Sequence, residues 1–259
     1  MSLFTLLRPQ SVAVVGASRT PGKIGNVLVK NVIESGYRGK FYPVNPAEKE
    51  IEGMKCYPDV RAVGAPVDLA VIAVPAPRTP EVVAACGQAG VKSLVIISAG
   101  FKEIGREGLL LEKEIVRLCR EYGMRLVGPN CVGIIDTHTP LNASFSGTYP
   151  RRGEIAYISQ SGAMLVAILD WAVKEKLGLS KVLSIGNKAD LNEADFLEAL
   201  ALDRETRVIV SYLENITDGN KFLQVAEAAA SVKPVIVLKV GITQAGARAA
   251  SSHTGSLAG

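Results

Sequence analysis

The residue with the most pointed chemistry is His253, in the stretch SSHTGSLAG over 251–259. It is one of two histidines in the chain and sits among small hydroxyl residues and glycines. A neutral imidazole is a good nucleophile, but one histidine alone says little. Its meaning comes from three other segments. ISQSGAML (158–165) sets Ser159, Gln160 and Ser161 before a helix, with Gly162 and Ala163 in its first turn. Hydroxyls beside open helix amides make an oxyanion or phosphate site, and equally an ordinary serine cap. SIGNKADLNEADF (184–196) is a second strand-to-helix loop. There Gly186, Asn187 and Asp190 shape a turn or line a site, Lys188 offers a cation to an anion, and Asp190 or Asn192 serves equally as a cap. VSYLENITDG (210–219) puts Glu214 just past a strand. A carboxylate there can orient an imidazole, while an exposed one is only a solvated charge. As a set these residues suit a covalent phosphohistidine. Two helix N-termini would hold the phosphate and Glu214 would orient the ring. His138 carries no role, and two distant histidines imply no metal.

A second cluster, VVGASRTPGKIGN (14–26), follows the first strand and opens a helix. Gly16, Gly22 and Gly25 let the backbone approach a phosphate at the helix N-terminus, and Arg19 and Lys23 favour a phosphate-rich ligand. A plain tight turn would use the same residues. The spacing is not that of a dinucleotide fingerprint, and the second strand ends in Val44-Asn45-Pro46, without the carboxylate that binds a ribose. NAD is therefore disfavoured. VPAPRT (74–79), SAGFKE (98–103) and GPNCVG (128–133) each follow a strand, so all converge on one crevice. Ser98, Gly100, Phe101 and Asn130 would supply hydrogen bonds and a stacking surface there. Cys131 has no histidine or basic residue beside it in sequence and reads as a packed side chain.

These loops need a scaffold, and the chain alternates accordingly. Strand candidates at 11–16, 40–45, 69–74, 93–98 and 125–128 are interleaved with helix candidates near 24–35, 78–88 and 107–122. Val-rich runs without polar alternation predict parallel strands covered on both faces. Residues 137–153 are rich in Pro, Gly, Ser, Asn and Thr and read as a linker. The alternation then restarts, with strands at 154–159, 181–186, 207–213 and 234–240 and helices at 162–177, 192–202 and 219–231. The expectation is two consecutive doubly wound α/β domains, over 1–136 and 154–259. The second has four strands where a flavodoxin-like sheet has about five, and reads as incomplete, either a piece or completed by a partner.

Composition sets the outer bounds. Of 259 residues, 48% are hydrophobic and only 5% aromatic, so the core must be aliphatic. A net charge of +4 is too mild to argue for nucleic acid or membrane, yet suits a polyanionic small molecule. Four scattered cysteines without a C-x-x-C pair read as reduced thiols, and no run of about 18 apolar residues exists. A cytoplasmic location is expected.

At GASRTPGKIG, YPVNP, DLAVIAVPAP, ISAGFKE, GPNCVG, SQSGA, GNKAD, YLEN and SHTGSLAG, the sequence resembles the α parts of the NDP-forming acyl-CoA synthetases. The likeness is greatest to the ADP-forming acetate–CoA ligases, and succinyl-CoA synthetase α-subunits are more distant. It runs from about residue 7 to residue 259. It implies a Rossmann-like CoA-binding domain followed by a flavodoxin-like domain. The implied reaction is acyl-CoA, phosphate and ADP to carboxylic acid, CoA and ATP, through an acyl phosphate and a phosphohistidine on a swinging loop. His253 would be that histidine and Glu214 its support. Ser159, Ser161, Gly162 and Ala163 match a phosphate-binding helix start. Gly16, Ala17, Ser18, Lys23, Asn45, Pro46, Pro75, Ser98, Gly100 and Asn130 fall where the family holds CoA. An ATP-grasp β-subunit or domain, carrying ADP or ATP with Mg²⁺, is the implied partner in a hetero-oligomer. The competing reading is a CoA-sensing regulatory module like the ligase-like region of bacterial protein acetyltransferases, where the histidine is often lost. Which carboxylic acid is used is not encoded in any motif.

Overall fold

The computed structural model describes residues 3–241. A first helical turn, α1 (Phe4–Leu7), leads into β1 (Ser11–Val15), α2 (Ile24–Glu34) and β2 (Lys40–Val44). A small hairpin of β3 (Glu50–Ile51) and β4 (Met54–Lys55) follows, then β5 (Leu69–Ile72), α3 (Thr79–Gln88), β6 (Ser93–Ile96), α4 (Arg106–Glu121) and β7 (Arg125–Val127). The long strands form one parallel sheet in the order β2-β1-β5-β6-β7. Every residue of β1, β5 and β6 is buried, as their unbroken aliphatic runs require. Pro43 is tolerated because β2 is an edge strand. The order reverses between β1 and β5, so the ligand crevice of this sheet lies beyond their C-terminal ends.

The second sheet contains β8 (Gly133–Asp136), β9 (Leu141–Ser144), β10 (Arg151–Ser159), β11 (Gly178–Ser184), β12 (Val208–Leu213) and β13 (Val235–Lys239). Its helices are α5 (Gly162–Lys174), α6 (Glu193–Leu202) and α7 (Gly219–Ala230). The order is β13-β12-β10-β11-β8-β9, and the switch point falls between β10 and β12.

The segment 137–153 is not the irregular linker expected from its composition. β8 and β9 form an antiparallel hairpin, and β8 pairs antiparallel with β11, so this stretch closes one edge of the second sheet. β10 starts at Arg151 through an irregular pairing with β11. The hairpin is held from outside: Asn31 Nδ2 on α2 donates to Ser144 O and Ser146 O, both at 2.8 Å. The two strands, GIID and LNAS, are four residues each, too short for a periodicity to be read, and tertiary bonds decide them.

The two sheets share a core. Val12, Val14, Val71 and Val95 of the first pack in one cluster with Ile134, Ile158, Leu183 and Ile209 of the second. The outer face of the first sheet is covered by α3 and α4 through Val83, Cys86 and Ile115. The outer face of the second is covered by α5 through Leu165 and Leu169.

Candidate functional site

The glycine cluster folds as a tight cradle at the first switch point. Gly16 has φ +92°, and a Cβ there would lie 2.5 Å from Ala73 O. A Cβ on Gly25 would lie 1.9 Å from Gly16 O, so α2 begins directly against the loop. Gly16 N and Ala17 N both donate to Val44 O. Asn45 Nδ2 donates to Ala17 O at 2.6 Å, while its Oδ1 accepts from Ala47 N at 2.8 Å. The Asn45 amide is thus committed to shaping the cradle. Ser18 Oγ accepts from Thr20 N, and Asn26 Nδ2 holds Ser18 O. Lys23 is exposed at the N-cap of α2, where no side chain caps the helix.

Gly16, Ala17, Ser18, Lys23, Asn45, Pro46 and Pro75 line a cavity of about 840 Å³. Arg78 lines it as well. Sequence reasoning quoted its segment and passed over it. Two cations facing a glycine cradle suit a ligand with several phosphates. Arg61 also borders the cavity, but its guanidinium is held by Asp59 through bonds of 2.8 Å.

A second cavity, about 350 Å³, opens between the domains. Ser98 and Asn130 reach it from the first domain, and Ser161, Gly162 and Ala163 from the second. Ser98 Oγ donates to Val74 O, and Asn130 N donates to Ser98 O at 2.9 Å. Gly100 is not on this wall. Its N–H donates to Glu103 Oε1 at 2.5 Å and so helps fix the loop from behind. Ser161 caps α5, accepting from Met164 N at 3.3 Å. The first amides of α5 have no intrahelical acceptor, so this wall offers donors to an anion. Ser159 is fully buried and donates to Ser161 O at 2.7 Å, supporting the turn from below.

Sequence reasoning left Lys102, Gln160 and Asn215 out of the site, although each lines this cavity. Gln160 is the hinge of its local order. Its Oε1 accepts from Glu214 N at 3.0 Å and Asn215 N at 3.1 Å, and its Nε2 donates to Asn215 Oδ1 at 3.1 Å. The serine turn after β10 and the glutamate turn after β12 are thereby joined at the second switch point. Glu214 is buried, next in the chain to Asn215. His253 lies outside the described residues.

The loop 186–188 ties this site to the first domain. Asn187 Nδ2 donates to Glu103 Oε2 at 2.6 Å and Glu112 Oε2 at 2.9 Å, and its Oδ1 accepts from Asn130 Nδ2 at 3.3 Å. Its carbonyl accepts from Lys102 Nζ, which also stands 3.5 Å from Glu112 Oε1. Burial opposes ionisation of Glu103, but the bonds from Asn187, Gly100 and Phe101 outweigh it and hold its carboxyl below the ordinary value. Lys188 does not face the cavity as a spare cation. It is buried, 2.8 Å from Glu193 Oε2 and 2.9 Å from Asn215 O, and desolvation lowers its pKa against the pull of Glu193. Asp190 pairs with Arg125 at 2.9 Å across the domains, and Asn192 caps α6. Cys131 is buried, its Sγ donates to Ile96 O, and burial pushes the thiol up to about 12. It is no nucleophile at neutral pH. Among the described residues no group of three His, Cys, Asp or Glu could hold a metal ion, and no helix is long and apolar enough to cross a membrane.

Comparison with known proteins places this geometry. A CoA binding domain model matches residues 10–137, and a model of the succinyl-CoA ligase like flavodoxin domain matches residues 152–259. The acetate–CoA ligase [ADP-forming] I of Archaeoglobus fulgidus is 52% identical over 98% of this chain, which spans 37% of that protein. The acetate–CoA ligase [ADP-forming] I subunit alpha of Pyrococcus furiosus is 51% identical over 100% of the chain, which spans 57% of it. Among solved structures, the dinucleotide-forming acetyl-coenzyme A synthetase 1 of Ca. Korarchaeum cryptofilum, in complex with phosphate and ADP, superposes with a TM-score of 0.96 at 46% identity. That alignment covers 100% of this chain and 56% of that one.

Proposed function

This chain belongs to the family of ADP-forming acid–CoA ligases, as the α part, and on that premise we propose that it is the CoA-handling and phosphate-transferring component of an acetate–CoA ligase. In the proposed reaction a phosphate oxygen attacks the thioester carbonyl of acyl-CoA. The carbon–sulfur bond breaks and CoA leaves as the thiol. The acyl phosphate then gives its phosphoryl group to His253, releasing the carboxylate. His253 passes the group to ADP, held with Mg²⁺ on an ATP-grasp β-subunit or domain, in a cytoplasmic hetero-oligomer.

The roles follow from the two cavities. Gly16, Ala17, Ser18 and Lys23, with Pro46, Pro75 and Arg78, hold the phosphates of CoA along the larger one. Asn45 keeps that cradle in shape. In the smaller cavity the amides of Gly162 and Ala163, the Ser161 turn and Lys102 stabilise the anion that develops as phosphate meets the thioester. Ser98 and Asn130 bring the first-domain loops to the same space, and Gln160 fixes the turn that carries Glu214.

The observation that carries the reading is this convergence. Loops from the CoA-binding sheet and the helix start at the second switch point open on one cavity between the domains. The test is ATP formation from acetyl-CoA, phosphate and ADP by the complete protein. His253→Asn should abolish it and leave CoA protection against unfolding intact. ATP formation by that variant would remove His253 from the route.

A further inference from the structure

We infer that Lys188 is a positioning residue for the reaction: its ammonium, held by Glu193 and by Asn215 O, fixes the turn of Glu214 and Asn215 beside the smaller cavity. This inference rests on the ligase reading above, in which Glu214 supports His253, and adds to it the group that sets Glu214 in place. The turn after β12 is held through its backbone by side chains from neighbouring segments. Gln160 takes the amides of Glu214 and Asn215, and Lys239 Nζ donates to Glu214 O at 3.0 Å. Lys188 Nζ donates to Asn215 O at 2.9 Å and to Glu193 Oε2 at 2.8 Å. Glu193 reaches the same turn directly, its Oε1 accepting from Thr217 N at 2.6 Å.

Lys188 differs from the other two holders. Gln160 is neutral, and Lys239 divides its ammonium between Glu214 O and Val240 O on the edge strand β13. The side chains of Lys188 and Glu193 are 4% and 1% exposed, so this pair stands out of water. Burial opposes the charge on Lys188 and Glu193 favours it, while Lys102 opposes it in turn and Glu214 favours it. A buried ion pair adds little net stability over neutral groups of the same volume. A neutral donor would tie Asn215 O as Gln160 ties the amides. What the cation adds is a fixed field at Glu214, favouring the carboxylate form that accepts a hydrogen bond from an imidazole. The backbone points the same way. Lys188 has φ +55°, a left-handed conformation uncommon for a residue with a side chain, and its surroundings hold it there. Asn187 N donates to Pro129 O on one side and Ala189 N to Gly128 O on the other. The loop therefore ties Asn187 into the first domain and Lys188 into the glutamate turn, and sets the two relative to each other.

The test uses the complete protein with its ATP-grasp part and follows two half-reactions separately. In one, acetyl-CoA and phosphate without nucleotide phosphorylate His253 and release acetate and CoA. In the other, ATP and Mg²⁺ phosphorylate it at the ATP-grasp site. Lys188→Met should slow the first at least about tenfold and leave the second, and the CoA dissociation constant, within about twofold. Added to Glu214→Gln, it should deepen the loss by less than about twofold, because residues that act as a unit are not additive. A lone Glu193 carboxylate left in the interior can prevent folding, so Lys188→Met with Glu193→Gln removes both charges and should show the same split. An unslowed first half-reaction in either folded variant overturns the assignment. So do equal losses in both half-reactions, which mark a purely structural role, and a fully multiplicative loss on top of Glu214→Gln. A wild type that places no phosphate on His253, or a Glu214→Gln variant that transfers at the wild-type rate, overturns the underlying reading of the site instead.

Discussion

Lys23 and Gln160 illustrate how differently single residues announce themselves. Lys23 sits in a glycine loop at a helix start, so its chemistry and its place were both readable. Lys23→Ala should weaken CoA binding about tenfold, the scale of one charge-assisted contact of about 1.4 kcal/mol. Isothermal titration against the exposed Lys174→Ala checks it, and equal affinities for the two variants would move the phosphate site elsewhere. Gln160 looked like a neighbour of the serines, yet it bonds residues 54 and 55 positions away. Lys102 depends likewise on Asn187, 85 positions along. Residue type shows what a side chain can bond, while partners this distant are fixed only by folding. Asn45 and Ser159 were read as ligand contacts, and folding adds that their side chains bond the backbone of the loops that form the site.

At the scale of elements, the strand-to-helix turns were legible because glycines and serines break aliphatic runs at each one. The hairpin β8–β9 was not, because its pairs are short and its register is set by β11 and by Asn31 of α2. The loop 186–188 was recognised as a site element, but its main work is between domains. Asn187 serves two carboxylates at once, so Asn187→Ala leaves both Glu103 and Glu112 short of a buried donor. The expected loss is about 1–3 kcal/mol of stability, read as a lower midpoint in urea unfolding. The variant should also lose turnover more than CoA affinity, because Asn130 loses its side-chain partner beside the smaller cavity while the larger cavity is untouched. Unchanged stability would show that the clamp contributes nothing.

For the whole molecule, two doubly wound sheets were predicted from alternation alone, and that is the fold. What alternation does not encode is that the sheets share a core and are joined by charged groups. Arg8 meets Asp203 at 2.6 Å and Arg125 meets Asp190 at 2.9 Å, beside the Glu103–Asn187 clamp. The clamp has a pH signature. Glu103 has a lowered pKa in the folded state, so its stabilisation is present above the ordinary glutamate value, near 4.3. It is lost as the pH falls from there through the lowered folded value. Glu103→Gln should therefore flatten the acid limb of stability against pH and change little at neutral pH beyond a constant offset. Chemical denaturation across pH 3–7 (about 4.3 lying inside the window) measures this, and an acid limb as steep as in wild type would contradict it.

The central claim is that this chain carries phosphate on a histidine. The most direct measurement incubates the complete protein with its ATP-grasp part, ATP and Mg²⁺, then maps phosphate by mass spectrometry at neutral to alkaline pH. The account predicts phosphate on His253, and its release when succinct addition of acetate and CoA carries the group onward to the acid. Phosphate on another residue, or none in a protein that binds CoA normally, would contradict it.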